Sequence, residues 1–273
     1  MTRLPRIVVL TGSELQHRYV ASVLAELPEV VGIVETVQPT IPILRRIPRV
    51  IKRFGLIGLV SRILLKLTLK MTGEAARRKA DLMRVLGDPK LPNAVPVLRT
   101  IGVNSTQTQK VLRDLAPDIL CVYGTYVVSD ATLSIASQMA LNLHTGVSPS
   151  YRGADCEFWA LHNLEPNLIG ATVHECTANL DGGAIFGTTT ASLDTNDGLG
   201  GVFGRCVIEG SALYKRIVGE LIDGREINTA PQDLATGREY KAAMRGWRAE
   251  LRVARLIANG VIRDYARSQS SKS

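Results

Sequence analysis

Short apolar runs alternate with amphipathic stretches along much of the chain, and this alternation constrains the fold more than any other feature. An apolar run at 6–10 is followed by a helical pattern over 15–27 and a second apolar run over 30–37. Buried strands separated by helices predict a parallel sheet covered on both faces. The pattern resumes with a helix at 106–115, a strand at 118–123, a helix at 129–137 and a strand at 139–143. We therefore expect an α/β fold with a Rossmann-like, mostly parallel, doubly wound sheet.

A polar, turn-rich stretch over 144–155 separates this pattern from a second group of elements. That group comprises a short helix at 158–163, strands at 169–176 and 183–190, and a long helix at 198–222. We expect Asn196 or Asp197 to cap the long helix, because short polar side chains accept hydrogen bonds from its first N–H groups. The predicted organisation is a main domain, 1–224, and a helical carboxy-terminal extension, 225–273, with a basic helix near 240–257 and a frayed end at 268–273.

A basic helical insertion at about 41–85 interrupts the strand–helix pattern. Between Arg45 and Lys79 it holds eleven Lys and Arg residues and one acid, a net charge of +10, whereas the whole chain carries +8. Arg62, Lys66 and Lys70 recur every four residues, which predicts a narrow basic stripe on a largely apolar helix. Packing within its own domain or across a homodimer is the first interpretation. Contact with an anionic membrane surface is the second, and binding of nucleic acid or another polyanion is the third.

The overall composition indicates a globular protein of the cytoplasm. Apolar residues make up 45% of the chain and charged residues 21%. The amino terminus lacks the apolar core of an export signal, and no apolar run free of charge reaches the roughly eighteen residues of a membrane span. The four cysteines contain no C-x-x-C pair, and the four histidines show no ligand spacing, so we expect reduced thiols and no metal site.

The stretch from Leu141 to Gly153 contains the clearest chemical signal. Residues two apart on a strand project to the same side, so Asn142 and His144 are expected to point together from a strand's carboxyl end. Open α/β sheets place their sites at that end. An amide that donates to a developing oxyanion, beside an imidazole that exchanges protons, suits acyl transfer.

A second signal centres on Asp181, which is followed by two glycines in a predicted turn. A carboxylate held near an imidazole orients it and raises its basicity. By contrast, we interpret His174 as a packed strand residue. We interpret Asp155 and Glu157 first as solvated loop carboxylates, with contact to a substrate amine as the alternative.

Several motifs together resemble a known family. Asn-x-His, then Ser-Pro-x-Tyr-Arg-Gly, Gly-x-Thr-Val-His and Leu-Asp-x-Gly-x-Ile occur in order over about residues 96–190, preceded by Pro-Asp-Ile-Leu-Cys-Val-Tyr-Gly-Thr. This order is similar to that of the formyltransferases that use 10-formyltetrahydrofolate, whose members act on glycinamide ribonucleotide, methionyl-tRNA and nucleotide-linked amino sugars. The chain departs from the family at Thr145 and Gly146, where His-x-Ser is common, and at Glu157, where proline is common.

The resemblance implies roles for individual residues. Asn142 would stabilise the tetrahedral oxyanion, His144 would polarise the formyl group and handle the amine proton, and Asp181 would orient His144. The co-substrate 10-formyltetrahydrofolate would contact Val122, Tyr123, Gly124, Thr125, Leu180 and Gly182. Apart from the resemblance, Tyr151, Arg152 and Gly153 are candidates to bind a phosphate of the acceptor, with bracing of the loop as the alternative interpretation.

The acceptor is less constrained than the chemistry. The fifty or so residues after 224 have a helical pattern, so we do not expect them to form the carboxy-terminal barrel typical of methionyl-tRNA formyltransferases. The basic insertion and Thr11-Gly-Ser-x-x-x-His17 resemble formyltransferase-like proteins of cell-surface sugar pathways, so an amino sugar on a nucleotide, or another small biosynthetic amine, is the expected acceptor. A methionyl-tRNA formyltransferase-like enzyme, a non-catalytic folate- or nucleotide-binding relative, and an enzyme that hydrolyses the formyl group remain as alternatives.

Overall fold

A seven-stranded sheet forms the centre of the protein. The computed structural model describes residues 3–38, 43–177 and 182–271. The sheet has the order β3-β2-β1-β4-β5-β7-β8, and a separate two-stranded sheet pairs β6 with β9. The strands are β1 (Ile7–Thr11), β2 (Val30–Val37), β3 (Val97–Ile101), β4 (Ile119–Tyr123), β5 (Met139–His144), β6 (Tyr151–Gly153), β7 (Gly170–Glu175), β8 (Ile185–Thr190) and β9 (Arg238–Tyr240).

Five neighbouring strands, β3 to β5 in the sheet order, are parallel. The direction reverses at β7, which pairs antiparallel with β5 and with β8. The expected mostly parallel α/β sheet is therefore confirmed. Strand β3 was not predicted, because its exposed positions interrupt the apolar run that marks the buried strands.

Helices cover both faces of the sheet. Ile7 and Val9 pack with α1 and α7 on one face, and Val8 and Leu10 pack with residues of α4 on the other. The helices are α1 (Leu15–Leu24), α2 (Ile43–Met71), α3 (Glu74–Leu86), α4 (Thr106–Leu115), α5 (Asp130–Leu133), α6 (Cys156–His162), α7 (Leu199–Ile222), α8 (Trp247–Ala258) and α9 (Val261–Ser270). Helix α5 is shorter than predicted, because Ser137 bonds back to Pro117 and Asp118 at the start of β4.

The long helix α7 is capped by a residue remote in sequence. The N–H groups of Gly198 and Gly201 donate to the carboxylate of Asp81 on α3. The predicted cap, Asn196 or Asp197, was wrong, because Asp197 instead accepts from Arg84 and from Arg205. Helix α3 therefore packs into the body of the protein, although it belongs to the basic insertion.

The first helix of that insertion, α2, is bent. Gly55 has a φ of 69° and a ψ of 174°, so two helical segments meet there. Helix α2 contacts α3 and α8. Within the described residues, no helix is sufficiently long and apolar to span a membrane.

The carboxy-terminal extension is only partly helical. Strand β9 pairs with β6, and the ring of Tyr240 stacks on those of Tyr151 and Trp159 at centroid distances of 5.8 and 4.5 Å. The helix predicted near 240–257 begins later, at Trp247, because Arg238–Tyr240 pair with β6 and a connection containing a turn follows over 241–246. The end that we expected to fray is helical to Ser270, where the side-chain amide of Gln269 bonds to Ala191 and Leu193.

Candidate active site

The carboxyl ends of β4 and β5 meet at a cavity of about 460 Å³. Val122 lies opposite Asn142 in the parallel register, which brings the strand ends together. Asn142 and His144 both line the cavity, as expected from their spacing on the strand. Tyr123, Gly124 and Thr125 also line it, so the structure brings three of the predicted folate contacts to the predicted catalytic pair.

A histidine on the neighbouring strand fixes the orientation of the Asn142 amide. The Nδ1 atom of His174 lies 2.7 Å from the carbonyl oxygen of Glu175, an acceptor, so we assign the ring proton to Nδ1. The Nε2 atom is then an acceptor, and Nδ2 of Asn142 donates to it at 3.1 Å. His174 is buried, as predicted, but it also holds the Asn142 amide with its nitrogen toward β7. The second N–H and the oxygen of that amide remain for other partners.

His144 is buried and held by the loop that follows it. Its Nε2 atom lies 3.2 Å from the carbonyl oxygen of Tyr151 and 3.4 Å from Sγ of Cys156. The hydroxyl of Thr172 on β7 donates to the carbonyl of Gly146 and accepts from the N–H of Ser148, which ties the loop to the sheet. The imidazole therefore sits in a structured, largely dry environment, where its interactions are stronger than in water.

A second histidine reaches the cavity from the amino-terminal end of α1. His17 lies between Gly12 and Gly124, at both of which a Cβ atom would overlap its ring. Burial lowers the pKa of His17, which favours the neutral imidazole. From the sequence, His17 was named only as part of the Thr11-Gly-Ser-x-x-x-His17 motif and was given no role in the site. The glycines after β1 and β4 were the available signal, because both leave space for a side chain.

A larger cavity of about 950 Å³ adjoins the first, and both are lined by Thr145 and Phe203. Its wall has charges of both signs. The acids are Glu14, Asp88, Asp155 and Glu157, and the bases are Arg18, Arg78, Lys79 and Arg245.

The carboxylate of Glu157 was expected in solvent, but it is buried on α6. The reason is that α6 packs in the second core cluster, against β6 and the carboxy-terminal extension. Burial, reinforced by the nearby charge of Asp155, raises the pKa of Glu157 to about 7. Asp155, in contrast, is partly exposed and accepts a 2.6 Å hydrogen bond from Arg245.

The remaining predicted residues lie in different places. Gly153 lines the smaller cavity, but neither Tyr151 nor Arg152 lines either one. The Tyr151 ring is fully buried in the second core cluster, and Arg152 donates to the carbonyl of Leu234. Val122 is buried in the sheet core. Gly182 is half-buried, whereas Asp181 and Leu180 lie outside the described residues.

The carboxy-terminal extension also forms part of the site. Residues 239–242 line the smaller cavity, and Arg245 lines the larger one. Sequence reasoning did not anticipate this contribution, since the pairing of β9 with β6 is a contact between distant segments.

Comparison with known proteins supports one family assignment. The family model described as formyl transferase matches residues 73–218, which is more than half of the chain. The chain belongs to the formyl transferase family. The matched residues include the strand–loop region that contains Asn142 and His144.

Individual relatives of this formyl transferase carry different names. A methionyl-tRNA formyltransferase of Mycobacterium ulcerans is 30% identical over 136 residues, which are 49% of this chain and 43% of the relative. The chain thus spans less than half the length of that curated relative. A sugar N-formyltransferase from Shewanella sp. has a similar fold, with a TM-score of 0.54, 11% identity and coverage of 92% and 87%.

Glycinamide ribonucleotide transformylase 1 from Symbiobacterium toebii also has the same fold. Its TM-score is 0.52 at 17% identity, covering 85% of this chain and 96% of that one. The three names refer to different acceptors, so membership of the family does not define the acceptor of this chain.

Proposed function

We propose that this protein transfers the formyl group of 10-formyltetrahydrofolate to a primary amine on a small acceptor, with Asn142, His144 and Asp181 as its catalytic residues. The observation that supports this most strongly is the oriented Asn142 amide beside the buried His144 imidazole, in a cavity lined by residues 123–125. The role of Asp181 rests on the resemblance of its motif.

The amide and the imidazole suit the two charges that develop during the reaction. A bond forms between the acceptor nitrogen and the formyl carbon, and the bond from that carbon to N10 of the folate breaks. Negative charge develops on the formyl oxygen, where the second N–H of Asn142 would donate. The acceptor amine loses a proton that finally resides on N10, and His144 is the group placed to move it.

Two features of the smaller cavity support it as the binding site of the donor. Gly124 has a φ of 64° and lies against the His17 ring, so a ligand there would meet the backbone of residues 123–125 and the neutral His17 imidazole. The volume of about 460 Å³ lies within the usual range for small-molecule sites. When bound, the folate supplies an activated formyl group.

The larger cavity supports an acceptor that combines an amine with an anionic group. The carboxylates of Asp155 and Glu157 line it beside Thr145, the residue that follows His144. Arg18 and Lys79 provide cationic groups in the same cavity. An amino sugar joined to a nucleotide has both features, and we propose this class of acceptor.

The alternatives make different products, so one experiment separates them. The protein is incubated with 10-formyltetrahydrofolate and a panel of dTDP-, UDP- and GDP-linked amino sugars, with methionyl-tRNA in a parallel reaction, and the products are measured by mass spectrometry. A formylated sugar nucleotide whose formation stops in His144→Ala supports the proposal. Formylated methionyl-tRNA would support the acceptor named for the curated relatives.

Two further outcomes contradict transfer to an amine. Free formate produced at the same rate with and without acceptors would indicate hydrolysis. Bound folate without turnover across the whole panel would indicate a binding protein.

A further inference from the structure

An unusual row of apolar side chains lies on the outer face of α2. It belongs to the second segment of that helix, after the bend at Gly55, and precedes the part of the chain that matches the family model. The positions recur every three or four residues, which places them on one helix face over roughly 24 Å. The members of this apolar row are Leu56, Val60, Ile63, Leu64, Leu67 and Met71, with exposed fractions from 48% to 85%.

The opposite face of the same helix already has its contacts. Leu65 and Leu69 are half-buried, in agreement with the packing of α2 on α3 and α8. The apolar row is therefore not needed to attach α2 to the protein. Among the residues that the structure describes, no element shields it from solvent to less than about half exposure.

The charge around the row has a single sign. Residues 43–71 contain eight Lys and Arg residues and no acid. Lys66 and Lys70 are exposed and follow Ile63 and Leu67 by three residues, so they border one edge of the row. Thr68 and Thr72, also exposed, border the other edge.

We propose that α2 docks on an anionic phospholipid bilayer, lying in the plane of the interface with the apolar row among the acyl chains. Lysines at the edge of such a helix bury their stems in the interface and place their ammonium groups beside lipid phosphates. This proposal is independent of the catalytic one.

Charge complementarity favours the bilayer over other occupants. In a symmetric dimer the same face of a second copy would bring two equally basic helices together, which is unfavourable. A polyanion such as nucleic acid would pair with the lysines but would leave the apolar row exposed, because its backbone contacts are electrostatic. An anionic bilayer would bury the apolar row in its acyl chains and pair the lysines with its phosphates.

Co-sedimentation of the full chain with vesicles tests the proposal. The vesicles contain phosphatidylcholine alone, or phosphatidylcholine with roughly one-third phosphatidylglycerol. Wild-type protein is expected to sediment with the anionic vesicles and to remain in the supernatant with the neutral ones. The double variant Lys66→Ala/Lys70→Ala is expected to bind about thirtyfold more weakly, and Leu64→Ser/Leu67→Ser at least about tenfold more weakly.

A matched pair controls for net charge. Lys110→Ala/Arg113→Ala removes the same charge from the exposed face of α4, and its binding is expected to stay within about threefold of wild type. All four positions changed in the α2 variants are exposed, so unfolding midpoints should match wild type.

Three results would overturn the proposal. The first is sedimentation with anionic vesicles no greater than with neutral ones. The second is an equal loss of binding in the α4 control, which would indicate attraction by net charge alone. The third is a wild-type dimer by size-exclusion chromatography that Leu64→Ser/Leu67→Ser converts to monomer, because the row would then be covered by a second copy.

Discussion

The two cavities that meet at Thr145 and Phe203 differ in what lines them. The smaller one presents an amide, two imidazoles and backbone at the ends of β4 and β5, with Glu239 and Lys241 as its charged residues, whereas the larger one is lined by four acids and four bases. We propose that this difference reflects a division of work. In this proposal the smaller cavity stabilises developing charge and moves a proton, and the larger cavity binds a charged acceptor. Substitutions in the first should therefore affect the rate of the chemical step, and substitutions in the second should affect acceptor binding.

The largest effect is expected for His144→Ala. Loss of the imidazole removes the proton-transfer group, so kcat should fall by about 10²–10⁴-fold. Steady-state kinetics with both substrates would measure this loss. The kcat of Asp181→Asn should fall by a similar factor if the Asp181 carboxylate orients His144. His162→Gln, on the outer part of α6, is the matched control and should retain kcat. Near-normal turnover in His144→Ala would mean that the chemistry occurs elsewhere.

His174→Ala tests whether the orientation of the Asn142 amide matters. Without the Nε2 acceptor the amide can rotate, so kcat should fall about tenfold while the KM for the donor changes little. His174→Gln offers an oxygen acceptor on a side chain of comparable reach and should recover much of the loss. An equal loss of kcat in His174→Ala and His174→Gln would indicate a packing role for His174 instead.

Glu157→Gln is the corresponding test of the larger cavity. Loss of a charged hydrogen-bond acceptor should raise the KM for the amine acceptor about tenfold while kcat stays within about threefold. Because the pKa of Glu157 is about 7, the wild-type KM for the acceptor should fall as pH rises through 7 and the carboxylate forms. Glu157→Gln should lose that dependence. An unchanged KM–pH profile in this variant would contradict acceptor binding by Glu157.

The smallest effect is expected for Asp81→Ala, which loosens the wall formed by α3 and α7. Losing the cap on α7 should lower the free energy of unfolding by about 1 kcal/mol. The KM for the acceptor should rise about two- to threefold, because Lys79 and Gly200 line the larger cavity on either side of this contact. Urea unfolding measures the change in the free energy of unfolding. The control is Asp114→Ala on the exposed face of α4, which should lower that free energy by less than Asp81→Ala does.

The sequence was most informative where local periodicity determines geometry. The paired orientation of Asn142 and His144 follows from the two-residue repeat of a strand, and their position follows from the parallel order of the sheet. The alternating apolar runs likewise predict β1, β2, β4 and β5, because these strands are buried on both faces.

Features that depend on contacts between distant segments were missed. The cap of α7 comes from Asp81, 117 residues before Gly198, and β9 pairs with β6 although Tyr151 and Arg238 are 87 residues apart. The burial of Glu157 and of Tyr151 results from packing against the carboxy-terminal extension, so neither their environment nor their exposure can be obtained from the local pattern. The amide contact of His174 depends on strand register, which the sequence did not specify.

The most direct test of the division between the cavities uses Asn142→Ala. Donor binding and the single-turnover rate of formyl transfer are measured side by side, with the acceptor saturating. If Asn142 acts on the developing oxyanion, donor affinity should stay near wild type while the single-turnover rate falls about 10²–10³-fold. A rate within a few-fold of wild type, or a loss explained entirely by weaker donor binding, would contradict the assignment of the chemistry to the smaller cavity.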